Sequence, residues 1–598
     1  MNESLLYPCI NSCRDFHSLD GMWKMQFDPD SVGQKENWQD GLPSPFAFPV
    51  PASFADIFTD KEKRDYCGDF WYETRFHLDA DTTRDVILRF GSITHRATIF
   101  VNGIKAGEHE GGFTPVVLDI TPYVRFDNKN RISVLVNNEL NETSIPCGTT
   151  KILPDGRKLA APYFDFFNYS GIQRSVLLIR VPKERLIDYD TDIELQGNDA
   201  LVHYRVKKTG DHPITVEIYD KTLGLMARNT GEEGTLRIKD AELWEPENPH
   251  LYTIVFLIKD DHGFIDKFRA DLGIRTFEAR DGKLWLNGKP IFLKGFGKHE
   301  DFEIMGRTFS YPIAMRDFAC MKWINANCFR TSHYPYAEEW YQLADSLGIL
   351  IIDEVPAVGM MRSLMNFATA GTGGKETKFF CSDTVQQLQE NHRRALEEMI
   401  VRDKNHPSVI AFSIYNEPET TYPEAREYFK PLFEYARSID PQKRPLTGAQ
   451  LINSTPNTCQ CQDLCDFVSL NRYYGWYVMG GSEISVAEKL FRQEMDEWKE
   501  TLHGRPLIFT EFGADTYSAE HKLPSVMWSQ EYQRECYEMN FRVMDDYDFV
   551  QGELVWNFAD FQTTEGIMRV NGNKKGIFTR NRQPKDAAYL LKKRWEKK

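Results

Sequence analysis

Val409-Ile-Ala-Phe-Ser-Ile-Tyr-Asn-Glu-Pro418 decides how the second half of the chain is read. Val409–Ser413 is a short apolar run of the kind that forms a strand buried on both faces, and it runs into the polar turn Asn416-Glu417-Pro418. The same texture recurs on either side. Ile291–Lys294, Ala326–Arg330 and Ile349–Asp353 precede it; Leu446–Gly448, Phe467–Leu470, Leu507–Thr510 and Gly552–Trp556 follow. Helical patterns lie between most of these runs. In Ser485–His503, for example, Val486, Leu490, Phe491, Met495, Trp498 and Leu502 recur at three-to-four spacing, and Ser485 with Glu488 reads as a capping box. Eight strands, each followed by a crossover or terminal helix over roughly 320 residues, predict a (β/α)8 barrel. An open doubly wound sheet would want a G-x-G-x-x-G turn after a strand, and the sequence has none.

Upstream of about residue 276 the pattern is strands only. Phe70–Phe76, Ala97–Val101 closed by Asn102-Gly103, and Ile132–Val136 belong to a segment of short strands and frequent turns, which predicts a jelly-roll-sized β-sandwich. Ala200–Val206, Ile214–Tyr219, Thr235–Ile238 and Leu251–Ile258 fit a small immunoglobulin-like sandwich. The expected domains are therefore residues 1–182, 183–275 and 276–598.

Composition narrows the class. The 598 residues are 41% hydrophobic, 27% charged and 13% aromatic, which is ordinary for a globular protein too long for one core. A formal net charge of −16 argues against nucleic acid or an anionic membrane as partner, and no apolar run is long enough for a membrane span. Met1–Cys9 lacks the basic and apolar regions of a signal peptide, and eleven cysteines without a disulfide framework fit reduced thiols. A cytoplasmic protein is expected. Cys459-x-Cys461-x3-Cys465 has no second CxxC or nearby His at zinc spacing. His299-Glu300-Asp301 are adjacent, so their side chains alternate in direction rather than chelate one ion. Neither metal nor cofactor is expected.

In a barrel of this kind, residues at the C-terminal strand ends face the active site. Those ends carry Arg330-Thr-Ser-His333, Asp353-Glu354, Asn416-Glu417, Asn471-Arg-Tyr-Tyr474, Thr510-Glu511 and Trp556-Asn557. Glu417 and Glu511 close the fourth and seventh strands. Glycosidic cleavage requires one carboxylic acid for the leaving oxygen and a second group for the anomeric carbon. When the carboxyls lie about 5–5.5 Å apart, the second attacks directly and configuration is retained. Two neighbouring carboxyls split their titration, so one serves as acid and the other as anion.

With Arg330-Thr-Ser-His-Tyr-Pro335, Tyr415-Asn-Glu-Pro418 and Leu243-Trp-Glu-Pro-Glu-Asn-Pro-His-Leu-Tyr252, the chain resembles family 2 glycoside hydrolases over essentially its whole length. That resemblance implies a jelly-roll domain, an immunoglobulin-like domain and a catalytic barrel. It also implies Glu417 as acid/base, Glu511 as nucleophile and Asn416 as ligand of the sugar 2-hydroxyl.

The substrate rests on a different stretch. Arg569-Val-Asn-Gly-Asn573-Lys574-Lys575-Gly576 is a basic, Gly-rich loop after the eighth strand of an otherwise acidic chain, as a sugar carboxylate would require. It is similar to the Asn-x-Lys carboxylate motif of β-glucuronidases, matching Asn573 and Lys575, with Arg569 beside them. Asn471-Arg-Tyr-Tyr-Gly-Trp-Tyr477 and Asp165-Phe-Phe-Asn-Tyr169 also resemble that subgroup. They imply Asn471 and Tyr477 on the sugar, Tyr473 near the nucleophile, and Asp165 holding sugar hydroxyls beside His333, with Trp556 stacked on the ring. The expected function is a retaining β-glucuronidase acting on a small-molecule or oligosaccharide glucuronide, as a homo-oligomer (dimer or tetramer) by family similarity. A β-galactosidase or galacturonidase on the same scaffold, or a catalytically decayed carbohydrate-binding protein, are the alternatives. The apolar loop Gly359–Gly374 is expected to meet hydrophobic aglycones.

Overall fold

Asn102 and Gly103 turn the chain back on itself at φ 53° and 84°, joining Arg96–Val101 to Ile104–Glu110 as an antiparallel hairpin. Both positions need the left-handed region that Asn and Gly tolerate best. The structure, a computed structural model, describes residues 4–361, 378–381 and 384–598. The hairpin lies at the edge of a six-stranded sheet that also holds Phe46–Val50, Gly21–Asp28, Asp69–Leu78 and Asn128–Asn137. A four-stranded sheet of Asp15–Ser18, Val176–Pro182, Arg84–Phe90 and Val116–Asp119 completes the sandwich. Inward residues from both sheets, among them Phe70, Tyr72, Leu88, Ile99 and Leu178, form one core.

The second sandwich packs three strands (Leu186–Gln196, Asp199–Lys208, Glu233–Ile238) against four (Leu225–Thr230, Ile214–Tyr219, Tyr252–Asp260, Gly263–Leu272), the seven-strand immunoglobulin-like count. Three of the seven escape a reading of the sequence. Leu186–Gln196 is dense in acidic residues, and Leu225–Thr230 is an edge strand with exposed Leu225 and Met226. Gly263–Leu272 carries six charged or small positions among its ten.

Eight parallel strands then close a barrel: Leu293–Lys298, Cys328–Thr331, Leu350–Glu354, Val409–Asn416, Leu446–Gln450, Val468–Asn471, Leu507–Glu511 and Val550–Val555. Every residue of Val409–Asn416 is buried, as a parallel strand flanked by helices requires. Ile291, expected to open the first strand, instead ends the short hairpin strand Lys289–Ile291, so the barrel begins at Leu293. Trp244, from the stretch Leu243–Tyr252, is fully buried against Leu293, Leu350, Ile410 and Ile508, and its indole N–H donates to the Asp345 carbonyl at 2.7 Å. This motif seals the barrel floor, away from the catalytic mouth.

Two local expectations are corrected. Seven of the eight strands are followed by an α-helix, but Leu446–Gln450 connects to Val468–Asn471 through only a three-residue 3-10 turn, Gln462–Leu464. Asn453, Thr455, Pro456, Asn457 and Thr458 are poor helix formers. The Arg472 guanidinium substitutes for helical hydrogen bonds, donating to the carbonyls of Gln450, Leu451 and Ser454 at 2.9–3.1 Å. The helix expected to start with a Ser485/Glu488 box runs Ile484–Thr501 with Glu483 at its N-cap and no capping side chain. Ser485 lies inside it, and Glu488 pairs with Arg492 and Arg542. Its buried stripe passes through Ala487, Phe491, Met495 and Trp498, leaving Val486 exposed. Among the described residues no helix is long and apolar enough to cross a membrane.

Candidate active site

The fourth strand delivers Asn416 in regular geometry and then Glu417 at φ +50°, a left-handed conformation that costs a non-glycine residue about 1–3 kcal/mol. Such strain persists where surrounding contacts hold it, and Asn471 is one of them. Its Nδ2 donates to Glu417 Oε1 at 3.0 Å and to Asn416 Oδ1 at 3.1 Å, while its Oδ1 accepts from Thr510 at 2.8 Å. The Glu417 carboxyl is pushed up to about 8, first by burial and then by the charge of Glu511; Asn471, Arg330 and Arg472 only partly offset this. Glu417 therefore holds its proton at neutral pH.

Glu511, the last residue of the seventh strand, is 3% exposed. Its Oε2 accepts the Tyr473 hydroxyl at 2.6 Å, its Oε1 is ion-paired with Arg330, and His333 Nε2 lies 3.8 Å from Oε1. Burial, then Glu511 and Glu417, raise the Tyr473 phenol well above its ordinary range, so it stays a hydrogen-bond donor. Arg330 is fully buried and also donates to both oxygens of Glu354, at 2.8 and 2.7 Å, and to Asn416 Oδ1 at 3.2 Å. Glu354 in turn accepts from His333 Nδ1 at 2.8 Å and Ser413 at 2.7 Å. Trp556 is buried with its ring stacked 5.1 Å from that of His333, at 19° between planes.

The cationic residues form a second cluster beside the first. Lys575 is fully buried, ion-paired with Asp515 and donating to the Tyr477 hydroxyl at 2.7 Å. Arg569 donates to the same hydroxyl at 2.8 Å and forks onto Asp165 at 3.0 and 2.9 Å. Asn573 donates to Asp165 at 3.1 Å and accepts the Lys575 backbone N–H at 3.0 Å. The clusters meet at Tyr473 and Tyr477, whose rings lie edge to face at 5.0 Å, with the Lys575 ammonium 5.5 Å from the Tyr473 ring.

Glu417, Glu511, Asn416, Asn471, Tyr473, His333 and Trp556 thus share one network, and Asp165, Tyr477, Arg569, Asn573 and Lys575 the adjoining one. Three placements differ from what the sequence suggests. The basic loop is not a free cationic patch, because Arg569 and Lys575 already face the carboxylates of Asp165 and Asp515. Asp165 is engaged by Arg569 and Asn573, and it is Phe166 that packs on His333, at 6.1 Å between rings. Met360 and Met361, at the start of the apolar loop, are buried; Arg362–Gly374 lies outside the described residues. Arg330 and Glu354 were visible as strand ends but not as the hub they form. Asp515 had only one signal, its place four residues beyond Glu511.

His299, Glu300 and Asp301 go to separate partners: Tyr334, Arg174 with the Ala337 N–H, and Tyr169 with Arg580. No cluster of metal-ligating side chains occurs among the described residues, and none of the cysteines is in a disulfide there.

A protonated carboxyl and a carboxylate with bound donors at the mouth of a (β/α)8 barrel, behind two β-sandwiches, define a glycoside hydrolase. The chain belongs to glycosyl hydrolase family 2: the family's sugar binding domain matches residues 16–182, its middle domain 184–275 and its TIM barrel domain 277–598. Among its relatives is the β-glucuronidase of Streptococcus agalactiae serotype V, 39% identical over 600 residues, covering 99% of this chain and 98% of that one. The solved structure of Ruminococcus gnavus β-glucuronidase is similar along the entire length of both chains, with 59% identity and a TM-score of 0.98. So is the structure of that enzyme in complex with uronic isofagomine, also at 59% and 0.98.

Proposed function

We propose that Glu417 is the general acid/base and Glu511 the nucleophile of a retaining β-glucuronidase. In the first step Glu417 protonates the glycosidic oxygen while a Glu511 oxygen attacks the anomeric carbon, so the aglycone leaves as an alcohol and a glycosyl ester forms. In the second step the Glu417 carboxylate takes a proton from water, the water oxygen bonds the anomeric carbon, and Glu511 is released as carboxylate. Glucuronate leaves with its configuration retained. The raised Glu417 carboxyl suits the acid role, and the guanidinium and phenol on Glu511 suit a leaving carboxylate. Asn416 and Asn471 bind sugar hydroxyls, His333 and Trp556 line the sugar's floor, and Lys575, Asn573, Arg569 and Tyr477 take the uronate.

The observation that carries the substrate assignment is the Lys575–Tyr477–Arg569 cluster abutting Tyr473, which itself holds the nucleophile. A neutral sugar would have no use for it. The compounds in complex with the R. gnavus relative, uronic isofagomine and D-glucaro 1,5-lactone, agree with this reading. Hydrolysis of p-nitrophenyl glucuronide, galacturonide and galactoside tests it. The glucuronide is cleaved fastest, and Lys575→Ala removes the preference; a faster galactoside, or a preference intact in Lys575→Ala, overturns it.

The division into domains 1–182, 183–275 and 276–598 belongs to the same proposal. So do a cytoplasmic location, supported by cysteines that form no disulfide among the described residues, and a homo-oligomeric assembly, which light scattering of the purified protein measures.

A further inference from the structure

Asp515 leaves the seventh strand four residues after Glu511 and is 1% exposed. One of its oxygens accepts the Lys574 backbone N–H at 2.8 Å; the other is ion-paired with the Lys575 ammonium and lies 3.8 Å from Arg569 Nη1. A single carboxylate therefore holds both the main chain and the side chain of the Asn573–Lys575 segment, from the loop that follows the strand carrying Glu511. The other groups around the ammonium are the rings of Tyr473, Trp476 and Tyr477, at 5.5, 5.5 and 4.6 Å, and the Cys536 thiol. In such surroundings the buried ammonium needs a counter-charge, and Asp515 supplies it.

We propose that Asp515 is the positioning residue that sets specificity for a uronate, an inference resting on the glucuronidase reading above. It pairs with the Lys575 ammonium, aims its remaining N–H at one point, and fixes that point relative to the nucleophile. The formal charges of the cluster cancel, Arg569 and Lys575 against Asp165 and Asp515. The site therefore does not attract anions in general. It rewards a carboxylate that arrives where the directed donors converge. Sugar orientation and charge recognition are thereby tied to one strand and the loop that leaves it.

Steady-state kinetics with p-nitrophenyl glucuronide on the wild type, Asp515→Asn, Lys575→Met and the double variant test this. Asparagine keeps a carbonyl oxygen for the Lys574 N–H and removes only the counter-charge. Asp515→Asn raises KM about five-fold or more, with the loss falling on KM far more than on kcat. The double variant has a kcat/KM within about five-fold of Lys575→Met, because Asp515 acts through that lysine. A KM rise below about five-fold in Asp515→Asn overturns the proposal, as does a double variant more than about five-fold worse than Lys575→Met. If the uncompensated lysine prevents Asp515→Asn from folding, the double variant, which buries no unpaired charge, decides by that comparison alone. Wild-type enzyme that prefers the galactoside instead refutes the glucuronidase reading itself, before any Asp515 variant is measured.

Discussion

Asp165 and Arg569 form a two-pronged ion pair between the N-terminal sandwich and the loop after the eighth barrel strand, with Arg569 Nε donating to both carboxylate oxygens and Nη2 2.7 Å from Oδ2. The sandwich therefore contributes a charged side chain to the barrel's mouth. The Asp165 side chain is 41% exposed, so solvent screens the pair and it adds little to folding. Asp165→Ala should leave the melting temperature within about 2 °C of wild type. The same change frees Arg569 and removes an acceptor from Asn573, so kcat/KM for p-nitrophenyl glucuronide should fall about ten-fold or more. Thermal melts beside kinetics separate the two, and a parallel loss of both would make Asp165 a structural clamp instead.

Glu417 predicts a pH profile of definite sign. With its carboxyl pushed up to about 8, the wild-type rate falls on the alkaline side as the acid loses its proton. Glu417→Gln removes that limb and slows substrates with poor leaving groups far more than activated aryl glucuronides. The same residue acts on stability. Below 4.5 the folded and unfolded chains both carry the proton. Between 4.5 and about 8 only the folded chain does, so its stability declines as pH rises through that window. Denaturant melts across the window should be flatter for Glu417→Gln than for wild type.

Glu511→Ala tests the nucleophile assignment. Removing the carboxylate should lower turnover by about three orders of magnitude or more, and azide should restore it by entering the space left behind. Because azide attacks once, from the nucleophile's face, the product is an α-glucuronyl azide of inverted configuration, identified by proton NMR. Recovery of a β-product would remove Glu511 from that role.

The barrel and both sandwiches were legible through local signatures, apolar runs ending in polar turns and Asn102-Gly103 between alternating strands, whereas Glu417 and Glu511 stood out only as a pair closing the fourth and seventh strands. What stayed hidden is relational. The sequence reads Lys575 as a cation for a sugar carboxylate, but nothing near it announces Asp515, sixty residues away, as its partner. Arg330 reads as a strand end, yet its guanidinium joins Glu354, Asn416 and Glu511 from three other strands, and only barrel closure brings them together. The missing helix between the fifth and sixth strands was likewise decided at long range, by Arg472 supplying donors to a stretch poor in helix formers.

Glu354 ties these long-range contacts to catalysis, and Glu354→Gln separates its two tasks. Its carboxyl is fully buried; burial alone would raise its affinity for a proton, but the Arg330 charge and the His333 hydrogen bond outweigh that and hold it below the ordinary value. A depressed carboxyl contributes stability above its unfolded value near 4.5, and that contribution is lost as pH falls through the lower folded value. Breaking a buried pair by removing one charge costs about 3–5 kcal/mol, so the variant should melt lower at neutral pH yet lose less on acidification. Its kinetic defect should also differ in kind from that of Lys575→Ala. Arg330 and His333 would no longer be held against Glu511 and the sugar, so kcat should drop about a hundred-fold for every substrate the enzyme accepts, with the preference for the uronate unchanged. A variant that melts lower but keeps wild-type kcat would show that Glu354 serves the fold alone, and that the remaining contacts of Arg330 suffice to position Glu511.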